Sequence, residues 1–266
     1  MVVVTGMTGA GVVVTGGGNG IGRAIAHKLA AGGARVVVND VDGDAAGAVA
    51  NDIGGYAVPG DAASDEGVRD LIATARVHLG TIDVYCANAG IGTRGGPDAP
   101  DEQWLRAWDV NVMAHVRASR ELLPGWLARG AGTFVVTASA AGLLTMLGSA
   151  PYSVTKHAAV AYAEWLAATY GHRGIATHCI CPQGVRTQML AASGAAGDAV
   201  LQPTAIEPEE VADALWDAMA AGRFLVLPHP EVHDYYVRRA TDTDRWLAGM
   251  RRLQQQIDDA VSGKGS

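Results

Sequence analysis

The chain has 266 residues, 49% of them hydrophobic and 18% charged, which is enough for a full core and too apolar for intrinsic disorder. A net charge of −7 argues against nucleic-acid binding, because neutralising phosphates needs clustered Lys and Arg. Cys179 and Cys181, two residues apart on a predicted strand, and the lone Cys86 suit neither a disulfide framework nor a zinc site. A reducing, cytoplasmic location is therefore expected.

Residues 1–22 carry no charge, but glycines dilute their apolar character and no basic residue precedes Arg23. Neither a signal peptide nor a membrane span is expected. The string VVVTG occurs at Val2–Gly6 and again at Val12–Gly16, and only the second copy runs into a glycine-rich turn and a helical pattern. That pattern places Ile21, Ile25 and Leu29 on one face. Residues 1–10 therefore read as an extension, and 11–266 as one domain.

From Val12 onward, apolar β-branched runs alternate with helical stretches. Strands are expected from Val12 to the turn that begins at Thr15, and at Val36–Val38, Tyr56–Val58, Ile82–Cys86, Phe134–Thr137, Ile175–Cys181 and Phe224–Leu227. Helices are expected over Ser64–Leu79, Asp101–Ala128, Pro151–Tyr170 and Pro208–Ala221, with Pro124 and Gly125 kinking or splitting the second. The alternation predicts an α/β fold: a single doubly wound domain with a parallel sheet of about seven strands and helices on both faces. The segment 188–207 lacks a firm period and is expected to be a substrate lid. Residues 229–266 read as a C-terminal helical extension. Its basic cluster (Arg238, Arg239, Arg245, Arg251, Arg252) reads as a solvated helix face, interleaved with Asp234, Asp242 and Asp244. Tyr235, Trp246 and Leu247 are candidates to close over a pocket or pack on a neighbouring subunit.

The turn after the first strand reads Thr15-Gly16-Gly17-Gly18-Asn19-Gly20-Ile21-Gly22. Such glycines let backbone approach a pyrophosphate at a helix N-terminus, although the spacing is not the strict Gly-x-Gly-x-x-Gly. Asp40 directly follows the second strand, where a carboxylate accepts hydrogen bonds from ribose hydroxyls and repels a 2′-phosphate. This favours NAD over NADP. Asp42 is the competing carboxylate.

Gly130–Thr155 contains no charged residue and is closed by Lys156. A helix beginning near Pro151 puts Tyr152 and Lys156 one turn apart on one face. A free phenol has a pKa near 10, so working near pH 7 needs about 4 kcal/mol of extra stabilisation of the phenolate. Lys156 supplies an opposite charge for it; burial opposes it.

Together these residues resemble the short-chain dehydrogenases/reductases over about residues 12–226. The Gly16–Gly22 turn is similar to that family's cofactor motif, and Gly60-Asp61-Ala62 resembles its adenine contact, with Asp61 as the side chain. Asn88-Ala89-Gly90 looks like its Asn-Asn-Ala-Gly motif with Ala87 in the first Asn position. Asn111, Ser139, Tyr152 and Lys156 fit its catalytic set, and Pro182-Gln183-Gly184-Val185-Arg186-Thr187 fits the segment that cradles the nicotinamide. Gln183 departs from the usual Gly, which is expected to place a polar side chain near the substrate.

The resemblance implies a Rossmann-like fold and a cofactor set of Gly16, Asn19, Gly20, Ile21, Gly22, Asp40, Asp61, Ala62, Asn88, Ala89, Gly90, Tyr152, Lys156, Pro182, Val185 and Thr187. It implies that Ser139 holds the substrate oxygen, that Lys156 also binds nicotinamide-ribose hydroxyls, and that Asn111 anchors a relay water. It further implies a homotetramer or homodimer through the helices bearing Trp104 and Trp108 and Tyr162, Trp165 and Tyr170.

The expected function is NAD-dependent interconversion of a secondary alcohol and a ketone, with Tyr152 as general acid/base. Thr93, Ala141, Met146, Gln183, Met189 and Leu190 are candidate walls for a medium-sized hydrophobic substrate. The rival readings are an NADPH-dependent acyl-thioester ketone reductase, opposed by Asp40, and a catalytically silent dinucleotide sensor. A serine hydrolase is opposed by the absence of Gly-x-Ser-x-Gly around Ser139. His157 reads as a helix-surface residue and His178 as a satisfied strand histidine. No histidine pair has a metal-ligand spacing, and His229 and His233 begin beside prolines.

Overall fold

A computed structural model describes residues 7–192 and 201–261, with side chains to residue 259. Val-rich runs with no polar interruption form strands that can be buried on both faces. They are β1 (Gly11–Thr15), β2 (Arg35–Asn39), β3 (Tyr56–Ala57), β4 (Val84–Ala87), β5 (Gly132–Thr137), β6 (Ile175–Ile180) and β7 (Leu225–Val226). All pair in parallel, in the order β3-β2-β1-β4-β5-β6-β7.

The helices are α1 (Gly20–Ala31), α2 (Gly43–Ile53), α3 (Asp65–Leu79), α4 (Asp101–Trp108), α5 (Ala114–Arg129), α6 (Ala150–Tyr170), α7 (Gln188–Ala191), α8 (Pro208–Ala221), α9 (Glu231–Thr241) and α10 (Thr243–Val261). Successive residues of β1 show why both faces must be covered. Val13 packs into the core under α3, α5 and α6, while Val12 and Val14 pack into the core under α1, α2 and α8.

Two local features differ from the sequence expectation. The long second helix is interrupted at Asp109–Met113, a π-helical turn, and not at Pro124. Pro124 is exposed, and α5 continues past it because Trp126 is buried and its Nε1 donates to Ile82 O at 2.7 Å. The proline forfeits one helical hydrogen bond on the solvent side while the indole anchors the other. Residues 7–10 are not a loose extension either: Met7 is buried in the core under α1, and Gly9 N donates to Gly33 O at 2.8 Å. The first VVVTG copy lies outside the described residues.

The sheet order reverses between β1 and β4, so the chain departs to opposite sides there and leaves a crevice at the carboxyl ends of the strands. The site occupies that crevice.

Candidate active site

The crevice is a cavity of about 1530 Å³ running from the tips of β1 and β2 to the helices after β7. At its β1 end the glycine turn is shaped by contacts that side chains would prevent. Gly16 and Gly20 hold positive φ of 59° and 52°, and a Cβ on Gly22 would sit 2.0 Å from the Gly16 carbonyl oxygen. Asn88 Nδ2 donates to the carbonyls of Thr15 and Gly16 at 3.0 and 3.2 Å, so this residue holds the turn as well as lining the cavity. Thr15 Oγ1 accepts from the N–H groups of Asn88 and Ala89, both at 3.0 Å. Asn19 gives α1 no side-chain cap, so the first N–H groups of that helix are not consumed by it. This cradle and open N-terminus fit a pyrophosphate.

Asp40 lines the cavity at the end of β2, with Oδ2 accepting from Gly18 N at 3.0 Å. Asp42, the competing carboxylate, caps α2, accepting from Ala45 N at 3.0 Å. Asp61 lines the cavity too. Burial pushes its carboxyl up, but hydrogen bonds from Ala63 N, Ser64 and the Arg117 charge outweigh this and leave it below the ordinary value. Arg117 in turn bonds Ala63 O and Asp109 Oδ1, tying the loop after β3 to the π-turn.

The catalytic candidates meet where β5, α6 and the π-turn converge. Ser139 stands two residues past β5; its hydroxyl accepts from Ala141 N at 3.1 Å and neighbours the Tyr152 phenol, whose pKa it lowers. Lys156 Nζ donates to Thr137 O at 2.9 Å and lies 5.7 Å from the Tyr152 ring centroid. Asn111 sits in the π-turn, fully buried, with Oδ1 accepting from Ile91 N at 2.9 Å and Nδ2 donating to Ile91 O and Thr155 Oγ1. A Cβ on Gly90 would lie 3.2 Å from Asn111 Oδ1 and 3.4 Å from Lys156 Nζ, so both groups flank the same glycine. Asn111 therefore stands behind the cavity wall, whereas Ser139, Tyr152 and Lys156 line it.

The electrostatics of the pair differ from the sequence expectation. Burial raises the Tyr152 phenol more than the Ser139 hydroxyl lowers it, so the cofactor-free protein holds it protonated at neutral pH. Burial also lowers Lys156 to about 8. His115, one turn beyond Asn111, is fully buried with no hydrogen-bond partner on its ring among the described residues, and is pushed down to about 3, first by burial and then by Lys156. It is neutral, and the sequence reading missed it.

The remaining cofactor candidates, Ile21, Ala62, Ala89, Pro182, Val185 and Thr187, all line the cavity. Thr187 caps α7 and its Cγ2 lies over Gly20, 2.9 Å from where a Cβ would be, which brings the loop after β6 over the glycine turn. Thr93, Ala141, Met146, Gln183, Met189 and Leu190, the candidate substrate walls, also line the cavity. Gln183 is held in place there: its Nε2 donates to Glu231 Oε1 at 3.0 Å and its backbone N–H to His229 Nδ1 at 3.2 Å.

The C-terminal extension covers this half. Tyr235 and Trp246 line the cavity, joined by Met250, Leu253 and Ile257, which the sequence reading did not single out. Leu247 does not line it and is exposed. The basic cluster is not a uniformly solvated face, since Arg238 lines the cavity and Arg239 donates to Leu143 O. The apolar spacing of Trp246, Met250, Leu253 and Ile257 was visible as a helical stripe; what it covers is set by the tertiary path. His178 is satisfied as expected, Nδ1 meeting Arg223 O at 2.7 Å, and His157 is half-buried against Ser153 O.

The family profile described as short chain dehydrogenase matches residues 10–197. The chain is 37% identical over 232 residues to a 1-deoxy-11-beta-hydroxypentalenate dehydrogenase of Streptomyces exfoliatus, covering 82% of each chain. It is 36% identical over 189 residues to a 2,5-dichloro-2,5-cyclohexadiene-1,4-diol dehydrogenase of Sphingobium indicum, covering 69% of this chain and 76% of that one. Among solved structures, a short chain dehydrogenase/reductase from Burkholderia phymatum in complex with NAD is 28% identical, with a TM-score of 0.82 over 90% of this chain and 95% of the other. The chain belongs to the short-chain dehydrogenase/reductase family and is a nicotinamide-dinucleotide oxidoreductase acting on CH–OH groups.

Proposed function

We propose that the protein oxidises a ring-bearing, largely hydrophobic secondary alcohol to a ketone, or reverses that reaction, with NAD as cofactor. The carrying observation is that Ser139, Tyr152 and buried Lys156 line one wall of a cavity continuous with the glycine turn and Asp40, with Lys156 Nζ 5.7 Å from the Tyr152 ring centroid. When bound, the dinucleotide supplies a hydride acceptor or donor at its nicotinamide ring. The Gly16–Gly22 backbone would hold its pyrophosphate, Asp40 its adenosine ribose and Thr187 its nicotinamide end. Asp40 disfavours a 2′-phosphate at the tip of β2, which is why NAD is preferred.

Ser139 holds the substrate oxygen, and Tyr152 takes the carbinol proton or returns it to the ketone. A second positive charge beside the phenol is needed, since burial dominates in the free protein. Lys156 contributes one charge below about pH 8. The relatives support a ring substrate, being named as dehydrogenases of a hydroxypentalenate and of a cyclohexadienediol. Residues 188–207 act as the lid in this reading; α7, Leu201 and Thr204 line the cavity, and 193–200 lie outside the described residues. The free thiols of Cys179 and Cys181, 3.8 Å apart, favour a reducing, cytoplasmic setting.

The test is reduced-nicotinamide formation from NAD and a panel of cyclic secondary alcohols. Folded Tyr152→Phe should lose at least about 10²-fold in turnover, and Asp40→Ala should relax the preference against NADP. Cofactor binding without turnover across the panel would instead indicate a sensor. Faster turnover with NADPH would overturn the reading of Asp40.

A further inference from the structure

We propose that Arg238 is an anion-recognition subsite at the far end of the substrate cavity, and that the substrate is an alicyclic hydroxy acid whose carboxylate it receives. The inference rests on the alcohol-oxidation reading above and adds to it the substrate's second functional group.

Glu231, Tyr235 and Arg238 stand at i, i+4 and i+7 on α9, and all three line the cavity. The α10 residues Trp246, Met250, Leu253 and Ile257 repeat the same spacing and line it too. This wall is tied to the reaction centre at two points. Gln183, on the loop after β6, donates to Glu231, and Arg239 donates to the carbonyl of Leu143, on the segment after Ser139. The helices are therefore part of the site and not a trailing segment.

The charges on this half then sort themselves. Glu231 is engaged by Gln183, and the Arg94 guanidinium donates to Ala192 O. Arg106 also lines the cavity and has no ion pair among the described residues, but it stands on α4, off the wall made by α9 and α10. On that wall Arg238 is the cation facing the cavity without an ion pair among the described residues; it is exposed, and its guanidinium lies over the Tyr235 ring, 5.9 Å from the centroid. A guanidinium held by an aromatic face keeps N–H groups available, and such a group can receive a carboxylate through two parallel hydrogen bonds.

Seven residues of helix separate it from Glu231, about 10 Å of rise. The wall between is apolar or aromatic, matching a fused-ring body with a single charge at its remote end. A lone guanidinium neutralises one charge, so a phosphate dianion would keep an uncompensated charge in a cavity that also holds Glu231.

The experiment compares a hydroxydecalin carboxylic acid with the parent decalinol, using NAD and wild-type, Arg238→Leu and Arg238→Lys proteins. The expected result is a kcat/KM ratio, acid over neutral alcohol, of roughly fivefold or more in the wild type, since a part-exposed ion pair gives up to about 1 kcal/mol. The ratio should collapse towards unity in Arg238→Leu through KM, and survive in part in Arg238→Lys. A wild-type ratio at or below unity, or a ratio untouched by Arg238→Leu, overturns the subsite. Calorimetric binding of the same two compounds to NAD-loaded protein separates the two readings. Acid binding that depends on Arg238 without turnover would sink the oxidation chemistry and keep the subsite, whereas equal binding of both compounds by wild type and Arg238→Leu overturns the subsite.

Discussion

Lys156 sits under opposing demands. Its ammonium is the positive charge nearest Tyr152, yet it is only 3% exposed, and burial lowers its pKa from 10.5 to about 8. Below pH 8 both folded and unfolded chains hold the proton, and the folded state bears the full desolvation cost. Between pH 8 and 10.5 the unfolded chain keeps a proton that the folded one has lost, so this residue's contribution to stability rises with pH, by about 3 kcal/mol in all. Lys156→Met should therefore lose turnover and yet, without cofactor, unfold at higher urea than wild type at pH 7. A gain of about 1–3 kcal/mol is expected, shrinking towards pH 10.5. A less stable variant at pH 7 would show that the hydrogen bond to Thr137 O outweighs desolvation. At this scale Tyr152, Lys156, Ser139 and Asn111 were legible as residue types at fixed spacing. The direction of the Tyr152 shift was not, because burial depends on what α6 packs against. Nor was His115, which carries no motif and is notable only for its buried ring, unpartnered among the described residues.

Among the elements, the glycine turn shows how local sequence can specify a site. Gly22 is constrained by backbone, since its missing Cβ would meet the Gly16 carbonyl and Asn88 Nδ2, 2.0 and 2.5 Å away. A carbonyl in a tied turn cannot move as a flexible side chain would. Gly22→Ala should cost about 1–3 kcal/mol of stability and weaken dinucleotide binding, as read by thermal unfolding and cofactor titration. Unchanged cofactor affinity would mean that the turn does not carry the pyrophosphate. The second helix was misread at the same scale. Pro124 is a strong local signal for a break, but a buried Trp126 bonded to Ile82 O is a tertiary one, and tertiary packing prevails. The π-turn at Asp109–Met113 had no such punctuation in the sequence. Gln183 was visible as a departure from the family's glycine, but its partner Glu231 lies 48 residues away and could not be read from spacing.

For the whole molecule, the parallel order of the sheet followed from uninterrupted Val runs alternating with helices, and the crevice followed from the strand reversal at β1 and β4. The destination of the last two helices did not follow, because an apolar stripe states that something is covered and not what. Another apolar surface remains uncovered in the single chain: Leu105 and Trp108 on α4 and Val154 and Trp165 on α6 are exposed. These helices are the ones expected to form a homo-oligomer, and exposed aromatic patches of this kind mark association surfaces. Light scattering should report a dimer or tetramer for the wild type and a smaller species for Trp108→Glu combined with Trp165→Glu. A wild-type monomer at micromolar concentration would refute that association.

The central claim is that hydride leaves the carbinol carbon of an alcohol while Tyr152 manages the proton. Its most direct measurement is the fate of deuterium placed on that carbon. Mass spectrometry should find the label in the reduced dinucleotide, with transfer slowed at least about 10²-fold in Tyr152→Phe. Deuterium recovered in water while the ketone forms, or label transferred as fast by folded Tyr152→Phe, would contradict it.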